Sequence, residues 1–314
     1  MWGYLVLRGV GFLVTLFLAC FAVFALLSVV PGDPARLVVG PEASEAAYQA
    51  VRARLNLDLP WPVRFGQWLG GIVTRGDFGQ SLSLNLPVSD LLAGALTVTV
   101  PLALLAMALA ILIGLPLGII AATCPGSLLN LLTVGIAQIG LALPEFWLGI
   151  LLVGFFAVRL GAFPAGGFPG WQVPGGALYH LVLPAFALAL PRAAYLARMA
   201  RATMADVLSA GYIQTARGKG VPEVLVLGRH ALKNALIPII TTAGLTLGHL
   251  LAGAIVIENL FYLPGVGRLA LAAVRARDLP LLSGVGVTVA GLLVALSFMV
   301  DLVYGVLDPR IRYR

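Results

Sequence analysis

Residues Leu91–Pro144 read LLAGALTVTVPLALLAMALAILIGLPLGIIAATCPGSLLNLLTVGIAQIGLALP and contain no charged side chain. A bilayer core about 30 Å thick is crossed by roughly 20 apolar residues in a helix. The run is too long for one such helix, and Cys124–Ser127 supplies a turn inside it. We therefore predict two membrane spans here, at about Gly94–Thr123 and Leu128–Val158.

The whole chain has the composition of a membrane protein. It has 314 residues, of which 60% are hydrophobic and 11% charged, whereas a soluble domain carries about 25% charged residues. We predict an all-α polytopic membrane protein with six transmembrane helices, the other four being about Gly9–Val30, Leu178–Met199, Ala235–Ile257 and Leu279–Tyr304. For the first of these a signal peptide is the alternative, but no small-x-small cleavage site follows it, which favours a retained helix.

The predicted spans divide the chain into an N-terminal transmembrane helix (1–30), an external loop region (31–93), a five-helix membrane core (94–307) and a cytoplasmic tail (308–314). In the loop region, Ser44–Leu57 reads as a short helix with Ser44 as its N-cap. Six spans place both termini on one side. Positive charges crowd that side, in 192–233 and 310–314, and are sparse in the opposite short loops. We therefore predict that both termini and the segment 200–234 are cytoplasmic.

The sequence offers no recognisable site of chemistry. Gly218-Lys219 lacks both the upstream Gly and the following hydroxyl residue of a phosphate-binding loop. The histidines His180, His230 and His249 are far apart, and no Gly-x-Ser-x-Gly elbow occurs. We expect no catalytic, cofactor or metal site and no disulfide between Cys20 and Cys124. The net charge of +7 reports topology rather than nucleic-acid binding.

A few polar residues lie inside the predicted spans, where ionisable groups mark functional sites by default. Glu145 follows Pro144 within the third span, and its carboxyl is either a pathway or proton-relay group or a structural group at a helix break. Asp301 is expected to form a structural ion pair with a nearby Arg. Gln138 and His249 are also possible pathway or structural polar residues. We expect Asn130 and Gln138 to be interhelical hydrogen-bond donors and His249 to be a packed, hydrogen-bonded histidine.

A basic segment, Gly211–Pro238, separates two apolar runs and reads GYIQTARGKGVPEVLVLGRHALKNALIP. It predicts two helices, Asp206–Ala216 and Val224–Ala235, with a break between them that contains Gly218, Gly220 and Pro222. Two interpretations stay open from the residues alone. The segment is either a knob that carries force from a soluble partner or an interfacial helix on anionic lipid.

The motifs of this segment resemble those of a known family. TARGKG at Thr215–Gly220 and RHALKNALIP at Arg229–Pro238 resemble the cytoplasmic signature of the dipeptide/oligopeptide/nickel family of ABC importer permeases. Further resemblances run along the chain: LSVVPGDPA at 27–35, GDFGQS at 76–81, LPEFWLG at 143–149, the Glu258–Arg268 and Arg277–Pro280 motifs, and the C-terminal Asp301–Arg312. The match is to the subunit type with a long first external loop.

This resemblance implies an ABC importer type I permease (MetI-like) fold and a set of partners. These would be a second homologous permease, two ATP-binding subunits that bind the ATP, and an external solute-binding protein, assembled in the inner membrane. Gly211–Val221 would be the coupling helix, held in a groove of one ATPase. The residues that the resemblance assigns to ATPase coupling are Gln214, Thr215, Ala216, Arg217, Lys219 and Gly220.

Two other classes of function stay as alternatives. A proton-coupled secondary transporter would use Glu145 or Asp301, and its uptake would follow a proton gradient rather than ATP. A membrane scaffold would carry no solute. The sequence does not identify the substrate, because similar permeases carry peptides, glutathione, nickel chelates or sugars.

Overall fold

A computed structural model describes residues 2–29, 34–40, 44–54 and 56–307. The N-terminal half of this part contains α1 (Trp2–Val29), α2 (Pro34–Val39), α3 (Glu45–Arg54), α4 (Trp61–Arg75), α5 (Val88–Thr123), α6 (Leu128–Ala142) and α7 (Glu145–Leu152), which a π-helical turn continues over Val153–Arg159. The remainder contains α8 (Pro174–Ser209), α9 (Gly211–Gly218), α10 (Glu223–Leu225), a π-helical turn (Val226–Leu232), α11 (Lys233–Leu260), α12 (Val266–Ala276) and α13 (Leu279–Leu307). The C-terminal motif from residue 308 onward and the Pro31-Gly32-Asp33 break lie outside the described residues.

The predicted membrane spans are confirmed as helices. Among the described residues, five helices are long and apolar enough to cross a bilayer, and the bent pair α6–α7 makes a sixth when it is taken as one span. The turn at Cys124–Ser127 also forms as predicted, with the Ser127 side chain accepting a hydrogen bond from the Asn130 backbone N–H at 3.1 Å. These helices establish the all-α membrane fold.

Two of the spans are longer than hydropathy suggests. Helices α5 and α8 each have 36 residues, which at 1.5 Å per residue is about 54 Å and exceeds the bilayer core. The predicted fourth span, Leu178–Met199, lies inside α8, which extends beyond it to Ser209. The helix continues because Ala200 and Met204 are fully buried, so packing rather than lipid stabilises its last turns.

The third predicted span is not one straight helix. Its two halves, Asn130–Ala142 and Glu145–Arg159, are bent by 103°. The bend lies at Leu143, which has an extended conformation (φ −84°, ψ 127°). Proline disfavours the helical conformation in the residue before it, so Pro144 ends α6 and begins a new helix. The predicted third span, Leu128–Val158, therefore corresponds to a bent pair of helices, and the helix break considered at Glu145 is present.

The described part of the region 31–93 is more helical than predicted. Ser44 does accept a hydrogen bond from the Ala47 backbone N–H, at 3.3 Å, and the helix that follows it ends at Arg54 rather than Leu57. Helix α4 was not predicted, and it packs an aromatic face against α1. Phe65 lies in this face, with its ring centroid 5.4 Å from that of Phe24.

The chain divides into two compact units. The first contains the residues up to Val98 together with Pro264–Phe298, and the second contains Thr99–Leu263 with the residues from Met299 onward. A buried cluster in the first unit joins α5, α12 and α13, and one in the second joins α8, α9 and the start of α11. In the second unit Gly118 lets α5 approach α8 closely, because a Cβ there would lie 2.5 Å from the Ala197 carbonyl oxygen.

Candidate functional site

The short helix α9 lies between two membrane helices in sequence and is held by one apolar side chain. The chain leaves α8 at Ala210, whose extended ψ of 144° separates the two helices. Ile213 is fully buried and packs in the cluster that contains Met204, Val226 and Ala235. The interior of the second unit therefore fixes the position of α9.

A Schellman cap ends α9. Gly220 has a left-handed φ of 77°, and its N–H donates to the Arg217 carbonyl at 2.9 Å while the Val221 N–H donates to the Ala216 carbonyl at 3.2 Å. These are the two hydrogen bonds of that motif, in which Gly is favoured because it has no Cβ. Gly220 therefore has a backbone role, and Pro222 is the N-cap of the next helix, which begins at Glu223. The predicted break forms, but the predicted helix Asp206–Ala216 is wrong because the chain is extended at Ala210.

The predicted coupling residues do not all lie on the same face of α9. Gln214, Thr215, Arg217 and Lys219 are exposed, whereas Ala216 is half-buried and packs against the cluster around Ile213. The Lys219 ammonium makes no ion pair with any described residue. The helix thus presents polar and cationic groups outward and uses its apolar positions for attachment.

The Arg217 side chain forms an ion pair with Glu223 of the same chain. Its guanidinium donates two hydrogen bonds to the Glu223 carboxylate, from Nη2 to Oε1 at 2.6 Å and from Nε to Oε2 at 3.1 Å. The hydrogen bond to Glu223 raises the pKa of Arg217, and the same bond lowers the pKa of Glu223. Both side chains are exposed, so this bidentate ion pair orients the two side chains but contributes little to the stability of the fold.

A second polar contact joins α9 to the beginning of α11. The Asn234 side-chain amide donates to the Tyr212 hydroxyl at 2.9 Å and to the His230 carbonyl at 2.9 Å. The chain that leaves α9 is therefore tied to it at two places, by Glu223 and by Asn234. A displacement of α9 would be transmitted to α8 and α11 together.

Inside the membrane-spanning part, the structure pairs Glu145 with Arg192 of α8. Arg192 Nη2 donates to Glu145 Oε1 at 2.5 Å. The Arg192 side chain is 27% exposed and the Glu145 side chain is 16% exposed. Gln138 is exposed on α6, and His249 is exposed on α11. Neither makes a hydrogen bond to Glu145 within the described residues. Asp301 is half-buried on α13, and its expected ion pair stays a prediction.

The sequence did not indicate the partners of the polar residues. Arg192 counts as a loop cation in the charge pattern, but the structure places it inside α8, paired with Glu145. An arginine within an apolar run was the available signal for a buried partner of opposite charge. Asn130, expected as an interhelical donor, instead accepts a hydrogen bond from Arg201 Nε at 3.2 Å.

Comparisons with known proteins identify the family. Residues 114–313 match the binding-protein-dependent transport system inner membrane component, and residues 1–103 match the N-terminal region of the same type of membrane component. The chain belongs to this family. It is thus a membrane-spanning ABC importer permease of the bacterial inner membrane rather than an enzyme, and membership implies an ATPase and a binding protein as partners.

The curated relatives support the permease assignment over the full chain. A peptide transport system permease protein of Brucella abortus is 44% identical over 291 residues, which is 92% of each chain. The glutathione transport system permease protein GsiC of Escherichia coli K12 is 38% identical over all 314 residues, covering 100% of both chains. The dipeptide/oligopeptide type predicted from the motifs is therefore confirmed.

Solved structures show the same fold. An inward-facing structure of the MetNI methionine ABC transporter matches with a TM-score of 0.59 at 19% identity, covering 69% of this permease and 96% of that chain. An amino acid ABC transporter matches with a TM-score of 0.51 at 16% identity, covering 71% and 94%. These matches confirm the MetI-like type I permease fold.

Proposed function

We propose that this permease forms half of the translocation pathway of an ATP-driven importer and that α9 is its coupling helix. The observation that carries the proposal is the construction of α9. Its buried Ile213 and the cap at Gly220 fix a short helix whose polar face points away from the unit. Such a helix is suited to rest in a groove of a separate motor subunit and to transmit its motion.

The proposed topology puts α9 in the cytoplasm. Positive charge concentrates in 198–233 and near the C-terminus, which follows the positive-inside tendency. Arg192 no longer counts toward that tendency because it is paired with Glu145, but the remaining charges leave its direction unchanged. With six spans, both termini are then cytoplasmic, the region 31–93 is external, 94–307 is the permease core and 308–314 is a cytoplasmic tail.

The assembly we propose has a second homologous permease, two ATP-binding subunits and an external solute-binding protein. The ATPases bind the ATP, and this chain needs no cofactor of its own. Closure of the ATPases would push α9 and, through its links to α8 and α11, reorient the membrane helices. This is alternating access by rigid-body motion around a central site.

The substrates we propose are peptides or related small solutes. The support comes from the relatives, since one is named for peptide transport and the other for glutathione transport. Glutathione is itself a tripeptide, so both names describe peptide-like solutes with free charged ends.

Gly218 offers a clean test of the coupling role. It is exposed on α9, and a Cβ there would meet no atom within 4 Å, so substitutions should not disturb the subunit itself. Gly218→Trp adds bulk to the proposed docking face and should lower both ATP-dependent uptake and substrate-stimulated ATP hydrolysis by about tenfold or more, a loss of at least 1.4 kcal/mol. Substitution of Gly220 would be ambiguous because it also strains the cap.

Gly218→Ala is the matched control for this measurement. It adds only a methyl group at the same position and should support uptake like the unmodified permease. Both variants should reach the membrane in normal amounts. Normal uptake by Gly218→Trp would refute the docking role of α9.

The proton-coupled alternative is less well supported, because the chain belongs to a family of binding-protein-dependent transport components. The energy source separates the two mechanisms. In sealed proteoliposomes an ATP-driven importer should need ATP for uptake, and a protonophore should have no effect. Uptake by a secondary transporter should need a proton gradient and should not depend on ATP.

A further inference from the structure

The Glu145–Arg192 ion pair joins the middle of α8 to the start of α7. Arg192 is near the centre of α8, whose residues run from Pro174 to Ser209, and Glu145 begins α7 directly after the bend at Pro144. The Nη2–Oε1 distance of 2.5 Å makes this a direct, charge-assisted hydrogen bond.

The pair is not sealed inside the subunit. Arg192 keeps 27% and Glu145 keeps 16% of the side-chain surface accessible. A charged group at membrane depth that faced lipid would be costly, and ionisable residues in spans instead face bundle interiors or water-filled cavities. The accessible side of the pair therefore belongs to the translocation pathway rather than to the lipid surface.

Both partners also have unused hydrogen-bonding capacity. A guanidinium has five N–H donors, and only Nη2 of Arg192 is bonded to the described residues, while Nε is buried without an acceptor. A buried donor without an acceptor carries a desolvation penalty. The resting pair is thus incompletely satisfied, and a ligand carboxylate that accepted from a reoriented Arg192 would relieve it.

The second carboxylate oxygen of Glu145 is packed closely against α11. A Cβ at Gly253 would lie 2.2 Å from Glu145 Oε2, so any larger residue there would displace the carboxylate. Glu145 accepts no hydrogen bond at Oε2 from the described residues. Gly253 is thus a positioning residue, and Oε2 keeps acceptor capacity that an ammonium group could use when the carboxylate turns toward the accessible side of the pair.

We infer that the Glu145–Arg192 pair is a substrate contact in the pathway, selective for solutes that carry both a free ammonium and a free carboxylate group. Arg192 would bind the carboxylate of the solute, and Glu145 would bind its ammonium group. Each residue would then replace its present partner with a solute group of the same charge, so the net charge of the site would stay the same. A solute with a single charge would leave one residue unpaired in a low-dielectric site, which is strongly unfavourable. The inference rests on the proposed import function and names the end groups that the pathway recognises.

A purely structural role, in which the pair only holds α7 against α8, is the alternative that the test must separate. Single substitutions cannot do so, because each leaves one buried charge unpaired. The double variant Glu145→Gln/Arg192→Gln removes both charges together and keeps two hydrogen-bonding side chains of similar size. A structural pair should tolerate this replacement.

The measurement is ATP-dependent uptake of tritiated trialanine by the complete importer in proteoliposomes, with saturating binding protein outside. We expect the double variant to assemble with its partners in normal amounts but to take up trialanine about tenfold more slowly. Uptake at the unmodified rate would overturn the inference and leave the proposed function intact. If the unmodified importer took up neither trialanine nor glutathione, the peptide assignment and this inference would both be overturned.

A second measurement needs no variant. A tripeptide with a diazirine side chain and free ends is photolysed with the unmodified importer during turnover, and the adducts are mapped by mass spectrometry. We expect adducts near Glu145 or near Arg192, and none there from the same tripeptide with an acetylated N-terminus and an amidated C-terminus. Adducts confined to other helices, or equal labelling by the blocked peptide, would overturn the inference even if the double variant failed to assemble.

Discussion

Ser81 and Asp278 are hydrogen bonded across 197 positions of sequence, with Ser81 Oγ donating to Asp278 Oδ2 at 2.6 Å. Both residues are almost fully buried. Ser83 donates to the same oxygen through its backbone N–H and its hydroxyl, and the Leu281 N–H donates to Oδ1. One carboxylate therefore ties the loop after α4 to the first turn of α13 within the first unit.

Replacement of Asp278 should loosen this tie. In Asp278→Ala the donors of Ser81, Ser83 and Leu281 lose their acceptor, and an unsatisfied buried donor costs about 1–3 kcal/mol. We expect a lower thermal midpoint of the purified importer and faster proteolysis of the 76–87 loop. Asp90→Asn, which changes an exposed carboxylate near the same loop, is the control and should leave both unchanged. An unchanged midpoint in Asp278→Ala would contradict this role.

The same carboxylate predicts a dependence on pH. Burial raises the pKa of Asp278, but the hydrogen bonds from Ser81, Ser83 and Leu281 outweigh burial and hold the pKa below its ordinary value. A lowered pKa means that the tie stabilises the fold above about pH 3.9, the value of an unfolded Asp, and that this stability is lost as the pH falls through the lowered value. The difference in thermal midpoint between the unmodified protein and Asp278→Asn should shrink below about pH 4, and a constant difference down to pH 3 would contradict the prediction.

The apolar runs predicted the number and approximate positions of the membrane helices, because length and hydropathy decide whether a helix can cross a bilayer. They did not predict the 103° bend at Leu143, since hydropathy carries no information about direction. They also did not predict that α8 continues beyond the fourth span, where Ala200 and Met204 are buried. The pairings of Ser81 with Asp278 and of Glu145 with Arg192 are likewise long-range, and a single sequence does not reveal them.

The coupling segment was predicted best where local rules decide its structure. Gly220 and Pro222 predicted the break after α9, since left-handed backbone and the start of a new helix are local properties. The anchoring role of Ile213 and the fork between Arg217 and Glu223 depend on how α9 folds back against its neighbours. Those features needed the three-dimensional structure.

Close packing between α5 and α8 should be sensitive to a single methyl group. A Cβ at Gly118 would lie 2.6 Å from the Ala200 Cβ as well as close to the Ala197 carbonyl, so Gly118→Ala should destabilise the subunit by about 1–3 kcal/mol. Gly94 lies in the same helix, but a Cβ there would meet no atom within 4 Å. Gly94→Ala is therefore the matched control. Equal thermal midpoints for the two variants would contradict this role of Gly118, because α5 and α8 could then move apart without a loss of stability.

The attachment of α9 should depend on Ile213. Because this side chain is fully buried, Ile213→Ala leaves a cavity and should cost about 2–5 kcal/mol of local stability. Trypsin, which cleaves after Arg217 and Lys219, reports the release of the helix. We expect faster cleavage there in Ile213→Ala and unchanged cleavage in Thr215→Ala, whose side chain is exposed. Equal cleavage rates would mean that Ile213 does not anchor α9.

The central claim, that α9 contacts a separate ATPase, is tested most directly by cross-linking in the assembled importer. Cys124 is exposed and Cys20 is buried, so Thr215→Cys in a Cys124→Ser background provides one accessible thiol for a benzophenone maleimide. Val173→Cys, at the opposite end of α8, is the matched control. The account predicts that photolysis joins the permease to an ATP-binding subunit from position 215 and not from position 173. No ATPase adduct from position 215, or equal adducts from both positions, would contradict it.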